Sequence, residues 1–285
     1  MPSSKPEPIP FVKMQGCGND YVYVDGFHHL VSDPVAMAKA ISDRRFGVGS
    51  DGLILVLPSD KADVRMRMWN SDGSESEMCG NGIRCVAKFA YERGLVAKKS
   101  RLTAETGAGV LGLDLRVKDG CVDAVTVDLG PPRLERALIP MVGAAGRVID
   151  EEIRAGDRTF RVTCLSMGNP HCVTYVDDVA KYPVERYGPL LENHASFPRR
   201  TNVEFVQLRS RGEVIQRTWE RGAGETFACG TGAAAVCAAG VLTGRTDRKL
   251  LIHLRGGDLE LAWPEGGNVF KTGPAVTVFE GVWPA

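Results

Sequence analysis

The sequence predicts an α+β protein of two pseudo-symmetric halves, each a curved, mostly antiparallel sheet wrapped on one buried helix. Three observations carry this: a repeat at constant offset, the same order of strands, loop and helix in both copies, and a remainder rich in strands. The repeat is the strongest of them. Cys79-Gly80-Asn81-Gly82 returns as Cys229-Gly230-Thr231-Gly232, and 229 − 79 = 150. Asn19 returns as Asn169, Asn70 is matched by Glu220, and Gly94 returns as Gly244, all at the same spacing of 150.

Within the first copy, Gly52–Leu57 and Val64–Trp69 read as strands. In the second of these, Val64, Met66 and Met68 alternate with Arg65 and Arg67, the period of a half-buried strand. A loop from Asn70 to Met78 leads to Cys79. Ile83, Val86, Ala87 and Ala90 then form a helical stripe, and Gly94 stops the helix. The second copy repeats the order. Val203–Leu208 and Val214–Trp219 are strands joined through Arg211-Gly212, and a loop leads to Cys229. The helix that follows is built of small residues, ends near Gly244 and is apolar all round, so it is expected to be buried. Elsewhere Leu111, Leu113, Leu115 and Val117 alternate with Gly112, Asp114 and Arg116, and Lys118-Asp119-Gly120 turns the chain back into Val122–Leu129. Leu250–Leu254, Leu259–Trp263 and Ala275–Phe279 read as further strands. Pro131-Pro132 marks a domain boundary.

The chain has 285 residues, 44% hydrophobic and 25% charged, the composition of a globular protein with a substantial core. Thirty-five basic residues balance 35 acidic ones, which gives no reason to expect a nucleic-acid or membrane-surface partner. Met1 to Pro10 is polar, proline-rich and without the apolar core of a secretory signal, and reads as a loose tail. The longest apolar stretch, Ala233 to Leu242, is too short to span a bilayer. A cytoplasmic location is expected, and with it eight cysteines that are thiols rather than a disulfide framework. None are spaced C-x-x-C, which argues against zinc.

Cys79 and Cys229 each precede a glycine-rich helix start. The unpaired amides and the dipole there favour an anion, so each thiol is expected to ionise more easily than usual. The amides of Gly80, Asn81, Gly230 and Thr231 can also hold a carboxylate. Two such ends suit inversion at carbon. A thiolate removes a proton from one face, a thiol delivers one to the other, and the roles exchange in the reverse direction. A lone buried cysteine at a helix start is more often packing; two at matched starts reverse that balance. Cys85 and Cys237, farther along the helices, are read as core, and Cys17, Cys121, Cys164 and Cys172 as structural.

At these residues the sequence resembles the diaminopimelate epimerase family of cofactor-independent amino-acid racemases. The resemblance is carried by Phe11 to Asp20, Asn70-Ser71-Asp72-Gly73-Ser74 through Gly82, Gly168-Asn169-Pro170-His171-Cys172, Thr201-Asn202-Val203, and Glu220 through Gly232. It implies two halves, each a β-barrel-like sheet around a central helix: residues 1–130, completed by the final strand at 275–285, and 131–274. It implies interconversion of LL- and meso-diaminopimelate, without pyridoxal phosphate, other cofactor or metal, by a homodimer. Carried over by position, Cys79 and Cys229 are the acid–base pair, and Gly80, Asn81, Gly230 and Thr231 bind the carboxylate beside the reacting carbon. Asn19, Asn70, Asn169, Asn202, Glu220 and Arg221 hold the remaining amino and carboxyl groups of the diamino-dicarboxylate substrate. By residue type alone the asparagines fit turns or strand ends equally well, Glu220 and Arg221 a solvated pair, and His171 either a structural hydrogen bond or an aid to a thiol. One departure is Gly52, where many relatives carry glutamine.

Other signals weigh less. Gly107-Ala108-Gly109-Val110-Leu111-Gly112 fits a dinucleotide fingerprint but opens a strand, not the helix such a site needs. Gly230-Thr231-Gly232-Ala233-Ala234-Ala235 does open a helix, without a ribose partner. The rival readings are a racemase for proline or hydroxyproline, a non-catalytic ligand-binding protein with structural thiols, and a cofactor-free isomerase on the same scaffold. The first usually has histidine in the slot of Asn81, and the last usually lacks the paired cysteines.

Overall fold

Hairpins and two kinds of helical crossover account for nearly every turn of the chain. The computed structural model describes residues 7–284, in two compact units: the first runs to Val127 and resumes at Gly273, and the second is Asp128–Thr272.

In the first unit, β1 (Ile9–Gly16) and β2 (Asn19–Asp25) form a hairpin. Its turn residues, Cys17 and Gly18, have φ of 55° and 81°, the left-handed pair that a two-residue hairpin loop needs. Helix α1 (Pro34–Ser42) starts on Asp33, whose carboxylate accepts the Ala36 N–H at 2.9 Å, with proline in the first turn. It delivers the chain to β3 (Gly52–Leu57), parallel to β2, and β4 (Val64–Asn70) pairs antiparallel with β3. A short β5 (Glu75–Ser76) folds back on β4 ahead of α2 (Gly82–Glu92). Strand β6 (Arg101–Thr106) runs parallel to β4, and β7 (Gly109–Lys118) and β8 (Cys121–Asp128) complete a meander.

The second unit repeats this plan. Strands β9 (Val148–Ala155), β10 (Arg158–Ser166) and β11 (Pro170–Tyr175) are antiparallel neighbours, and α3 (Val184–Glu192) crosses to β12 (Asn202–Ser210), parallel to β11. Then come β13 (Glu213–Glu220), a short β14 (Gly224–Thr226), α4 (Gly230–Leu242), β15 (Lys249–Leu254) parallel to β13, β16 (Gly257–Ala262) and β17 (Phe270–Pro274). Strand β18 (Val276–Trp283) returns to the first unit and pairs antiparallel with β1, as β9 pairs with β10 in the second. The repeat extends to register: β2 sets Tyr21 opposite Gly52, and β11 sets His171 opposite Asn202, each 150 residues on. The spacing shortens to 148 at β6 and β15 (249 − 101), because residues 93–100 become the shorter link 243–248.

Each sheet wraps its helix. Helix α2 packs against β1 to β4, β6 and β7, and α4 against β10 to β12, β15 and β16. From Gly232 to Gly240 every residue of α4 is buried, as its composition predicts. Gly94 and Gly244, at φ of 70° and 68°, end the two helices in matching fashion. The predicted turn at Asp119-Gly120 is also found, with φ of 51° and 81°. The Gly107–Gly112 run does open a strand. Ile9 and Pro10, read as tail, instead pair with Trp283 and Val282, an alignment that composition alone does not reveal. Residues 1–6 of that segment lie outside the described residues. Among the described residues no helix is long and apolar enough to cross a membrane.

The fit around α4 generates a test. A Cβ on Gly240 would stand 2.1 Å from the Thr246 hydroxyl oxygen and 2.9 Å from its methyl. Gly240→Ala should gain about 1 kcal/mol of helix propensity yet lose more to overpacking, about 1–3 kcal/mol. The expected result is a lower thermal midpoint; a higher one would show that the contact yields.

Candidate active site

In the first unit, the sulfur of Cys79 caps the first turn of α2. Cys79 Sγ accepts the Gly82 N–H at 3.3 Å, and the Cys79 carbonyl accepts the Ile83 N–H at 2.9 Å. The thiol in turn donates to Asn19 Oδ1 at 3.1 Å. The orientation of Asn19 is fixed from behind: its Nδ2 donates to Asp51 Oδ2 at 2.6 Å, leaving Oδ1 for the thiol. Asp51 also accepts the Asp20 N–H and lies 3.0 Å from Arg44, which forks onto Asp20 as well. Buried Lys13 pairs with Asp20 at 2.6 Å and donates to the Gly49 carbonyl. Burial alone would raise the Asp20 pKa, but Arg44 and Lys13 outweigh it and hold the carboxyl below the usual range.

The turn is braced from below by Arg84, wholly buried, which donates to Gly80 O, Asn81 Oδ1 and Pro274 O at 3.0–3.1 Å. Asn81 is therefore tied into the turn by its side chain. Asn70 closes its own turn, its Nδ2 donating to Ser74 Oγ at 3.0 Å. Gly52 sits where a Cβ would meet Trp69 O at 2.0 Å and Tyr21 Cε1 at 2.8 Å. The strand pair has closed on the glycine, so a glutamine here would need the backbone to shift.

The second unit holds the same cap. Cys229 Sγ accepts the Gly232 N–H at 3.4 Å, and the Cys229 carbonyl accepts the Ala233 N–H at 2.9 Å. Thr231 Oγ1 lies 3.5 Å from the sulfur. In both units the residues between cysteine and capped amide, Gly80-Asn81 and Gly230-Thr231, precede the first helical donor. Beyond the cap the surroundings differ. Asn169 Oδ1 meets His171 Nε2 at 2.9 Å, and His171 Nδ1 meets Glu204 Oε1 at 2.8 Å, with both His171 and Glu204 fully buried. Glu220, at the end of β13, accepts from Thr226 Oγ1 at 2.5 Å. Asn202 also ties the turn: its Nδ2 donates to Pro170 O, and its Oδ1 accepts the Arg221 N–H. Arg221 is exposed and donates to the Arg199 carbonyl, so it forms no pair with half-buried Glu220.

The structure thus gathers Asn19, Gly80 and Asn81 around Cys79, and Thr231, Gly230 and Glu220 around Cys229. Asn169 joins the second group through His171 and Glu204, while Asn70, Asn202 and Arg221 lie in adjoining turns. The expectation of a more easily ionised thiol fails at Cys229. Its burial, and then the Glu220 and Glu204 carboxylates, push that thiol well above its ordinary pKa, outweighing Thr231 and the Gly232 amide. Sequence reasoning missed Glu204, Asp51, Arg84 and Tyr21. A glutamate inside the apolar run Val203-Glu204-Phe205-Val206 was the available signal. Burial pushes Cys85 up to about 11 and Cys237 up to about 12, as their core reading suggests. Cys121, read as structural, is exposed and so packs no core. Among the described residues, no three His, Cys, Asp or Glu side chains are arranged to hold a metal.

The model of the diaminopimelate epimerase family matches residues 11–135 and 163–278. A diaminopimelate epimerase from Agathobacter rectalis is 55% identical over 279 residues, covering 95% of this chain and 98% of that one. Another, from Desulforudis audaxviator, is 56% identical over 275 residues, covering 96% and 98%. Among solved structures, a phenazine biosynthesis protein of the PhzF family from Bacillus anthracis superposes with a TM-score of 0.69 at 19% identity, covering 97% of this chain and 99% of that one. That likeness is one of fold.

The surroundings of Glu220 set a pH dependence. Burial, then Glu204, raise its folded pKa above the ordinary 4.5. As pH rises past that value the unfolded chain releases the proton first, so this group costs stability as pH climbs toward its folded pKa. Glu220→Gln carries no such cost. Denaturant unfolding should show the variant gaining on the wild type between acid and neutral pH; a constant difference would argue against it.

Proposed function

Because the chain belongs to the diaminopimelate epimerase family, we propose that it interconverts LL- and meso-diaminopimelate by proton transfer between two thiols. The observation that supports this most directly is the matched cap: Cys79 on Gly82 and Cys229 on Gly232, equivalent residues of a repeated unit. One sulfur, as thiolate, takes the α-proton from one face of the substrate carbon. The other, as thiol, gives its proton to the opposite face, and the pair has then exchanged charge. The residues Gly80, Asn81, Gly230 and Thr231 hold the adjacent carboxylate with first-turn amides, which oppose the charge that develops as the α-carbon loses its proton.

Asn19, Asn70, Asn169, Asn202, Glu220 and Arg221 hold the remaining groups. Glu220 accepts from an ammonium and Arg221 donates to a carboxylate. The halves are 1–130 with 275–285, carrying Cys79, and 131–274, carrying Cys229. The same reading puts the chain in the cytoplasm, in the route to lysine and peptidoglycan precursors. It also makes the protein a homodimer. Support for the dimer comes from β18, which exposes Val276, Val278, Phe279 and Val282.

Incubation of the reduced protein with LL-diaminopimelate in heavy water should yield the meso isomer carrying solvent deuterium at the α-carbon. Cys79→Ala and Cys229→Ala should each lower inversion by about a hundredfold or more. If neither inversion nor exchange occurs, the two-thiol reading is wrong. Sedimentation should report a dimer for the wild type and a monomer for the Val278→Lys, Val282→Lys double variant; a wild-type monomer would sink the dimer.

A further inference from the structure

The repeat aligns the two half-sites residue by residue, and among the aligned positions that differ in kind are two beside the repeated asparagine. Tyr21 is matched by His171 and Ile54 by Glu204, each 150 residues on. The difference changes what the repeated asparagine does. Asn19 accepts directly from the Cys79 thiol, whereas Asn169 is drawn onto His171, and His171 onto Glu204.

A separation of 2.8 Å between an imidazole nitrogen and a carboxylate oxygen requires a proton on the line between them. One oxygen of Glu204 is thereby committed to His171. The other, Oε2, is buried with no hydrogen-bond partner, an uncommon condition for a carboxylate. Glu204 also borders the thiol's own turn: a Cβ on Gly232 would stand 2.7 Å from Glu204 Oε1 and 3.3 Å from Cys229 Sγ. The groups facing Cys229 are therefore Glu220 on β13, Glu204 on β12, and Thr231 and the Gly232 amide on α4, with His171 on β11 behind Glu204. Two carboxylates stand against one imidazole, and that imidazole is already engaged. The first half-site has no counterpart. Around Cys79 stand Tyr21 and Asn19 on β2, and behind Asn19 lies Asp51, its charge opposed by Arg44. On α2 the buried Arg84 reaches the Gly80 carbonyl.

We propose that Glu204 is a positioning residue that, through His171 and by its own charge, keeps Cys229 in the thiol form in the resting protein. In the inversion that starts from this state Cys229 is the proton donor, and Cys79 first gives up to water the proton it donates to Asn19 and then acts as the acceptor. This rests on the two-thiol reading above. After one inversion, Cys79 holds the substrate's former proton and Cys229 is a thiolate. The resting pair, both thiols, is restored when Cys229 takes a proton from water.

The ultraviolet absorbance of thiolate, taken as the difference between the full protein and its Cys229→Ser variant, reports on Cys229 alone. At about pH 8.5, where an ordinary cysteine is half ionised, the wild type should show no Cys229 thiolate. Glu204→Gln preserves shape and a partner for His171 but removes the charge. In it the Cys229 midpoint should fall by about one pH unit or more, with an unchanged circular dichroism spectrum. A Cys229 thiolate band at that pH in the wild type would overturn the proposal, whether or not the variant folds. So would an unchanged midpoint in folded Glu204→Gln. These titrations use no substrate, so they remain interpretable if no amino acid exchanges its α-proton and the epimerase reading fails.

Discussion

A sulfur atom capping a helix is the constraint on which both halves of this protein turn. A thiol is a weak acceptor, so a helix that starts on cysteine gives up part of the stabilisation that serine or aspartate would supply at that position. The loss has to be offset by burial. Helix α4 does so with small apolar residues on every face, and α2 with an amphipathic face and a buried arginine that ties its first turn to the Pro274 carbonyl. The curved sheets, the glycines at the helix starts and the left-handed glycines at the helix ends all serve to hold a short, enclosed helix.

Much of this could be read from the residues. The 150-residue offset holds from Asn19 to Gly94 because the chain between these landmarks keeps its total length in both copies, although single strands and helices differ by a few residues. It slips to 148 only in a surface link, where insertions cost little. The alternation of Val64, Met66 and Met68 and the apolar character of Ala233–Leu242 identified strand β4 and helix α4. Helices α1 and α3 were less legible, being short, nine residues each, with proline at the start of one and inside the other. Strand β1 escaped notice at its beginning because its partner, β18, lies at the other end of the chain.

The candidate site divides along similar lines. Cysteines before glycine-rich helix starts are visible in one dimension, and so is the dipole that acts on them. The carboxylates of Glu204 and Glu220 come from strands that only the folded sheet sets beside Cys229, and they reverse the local argument. Asn202 shows the same limit differently. Its residue type suits substrate binding, and only the fold shows that it also shapes the turn that carries Arg221, through hydrogen bonds to Pro170 and Arg221.

The pairing of β18 with β1 fixes an order of events during synthesis. The second unit is one continuous stretch, and all its strands have been made before β18 exists. The first unit, although its strands leave the ribosome earlier, leaves one edge of β1 unpaired until residues 276–283 have been translated. The half made later is thus the first able to close its sheet. The half made earlier must wait with an open strand edge, the kind of surface that invites wrong partners.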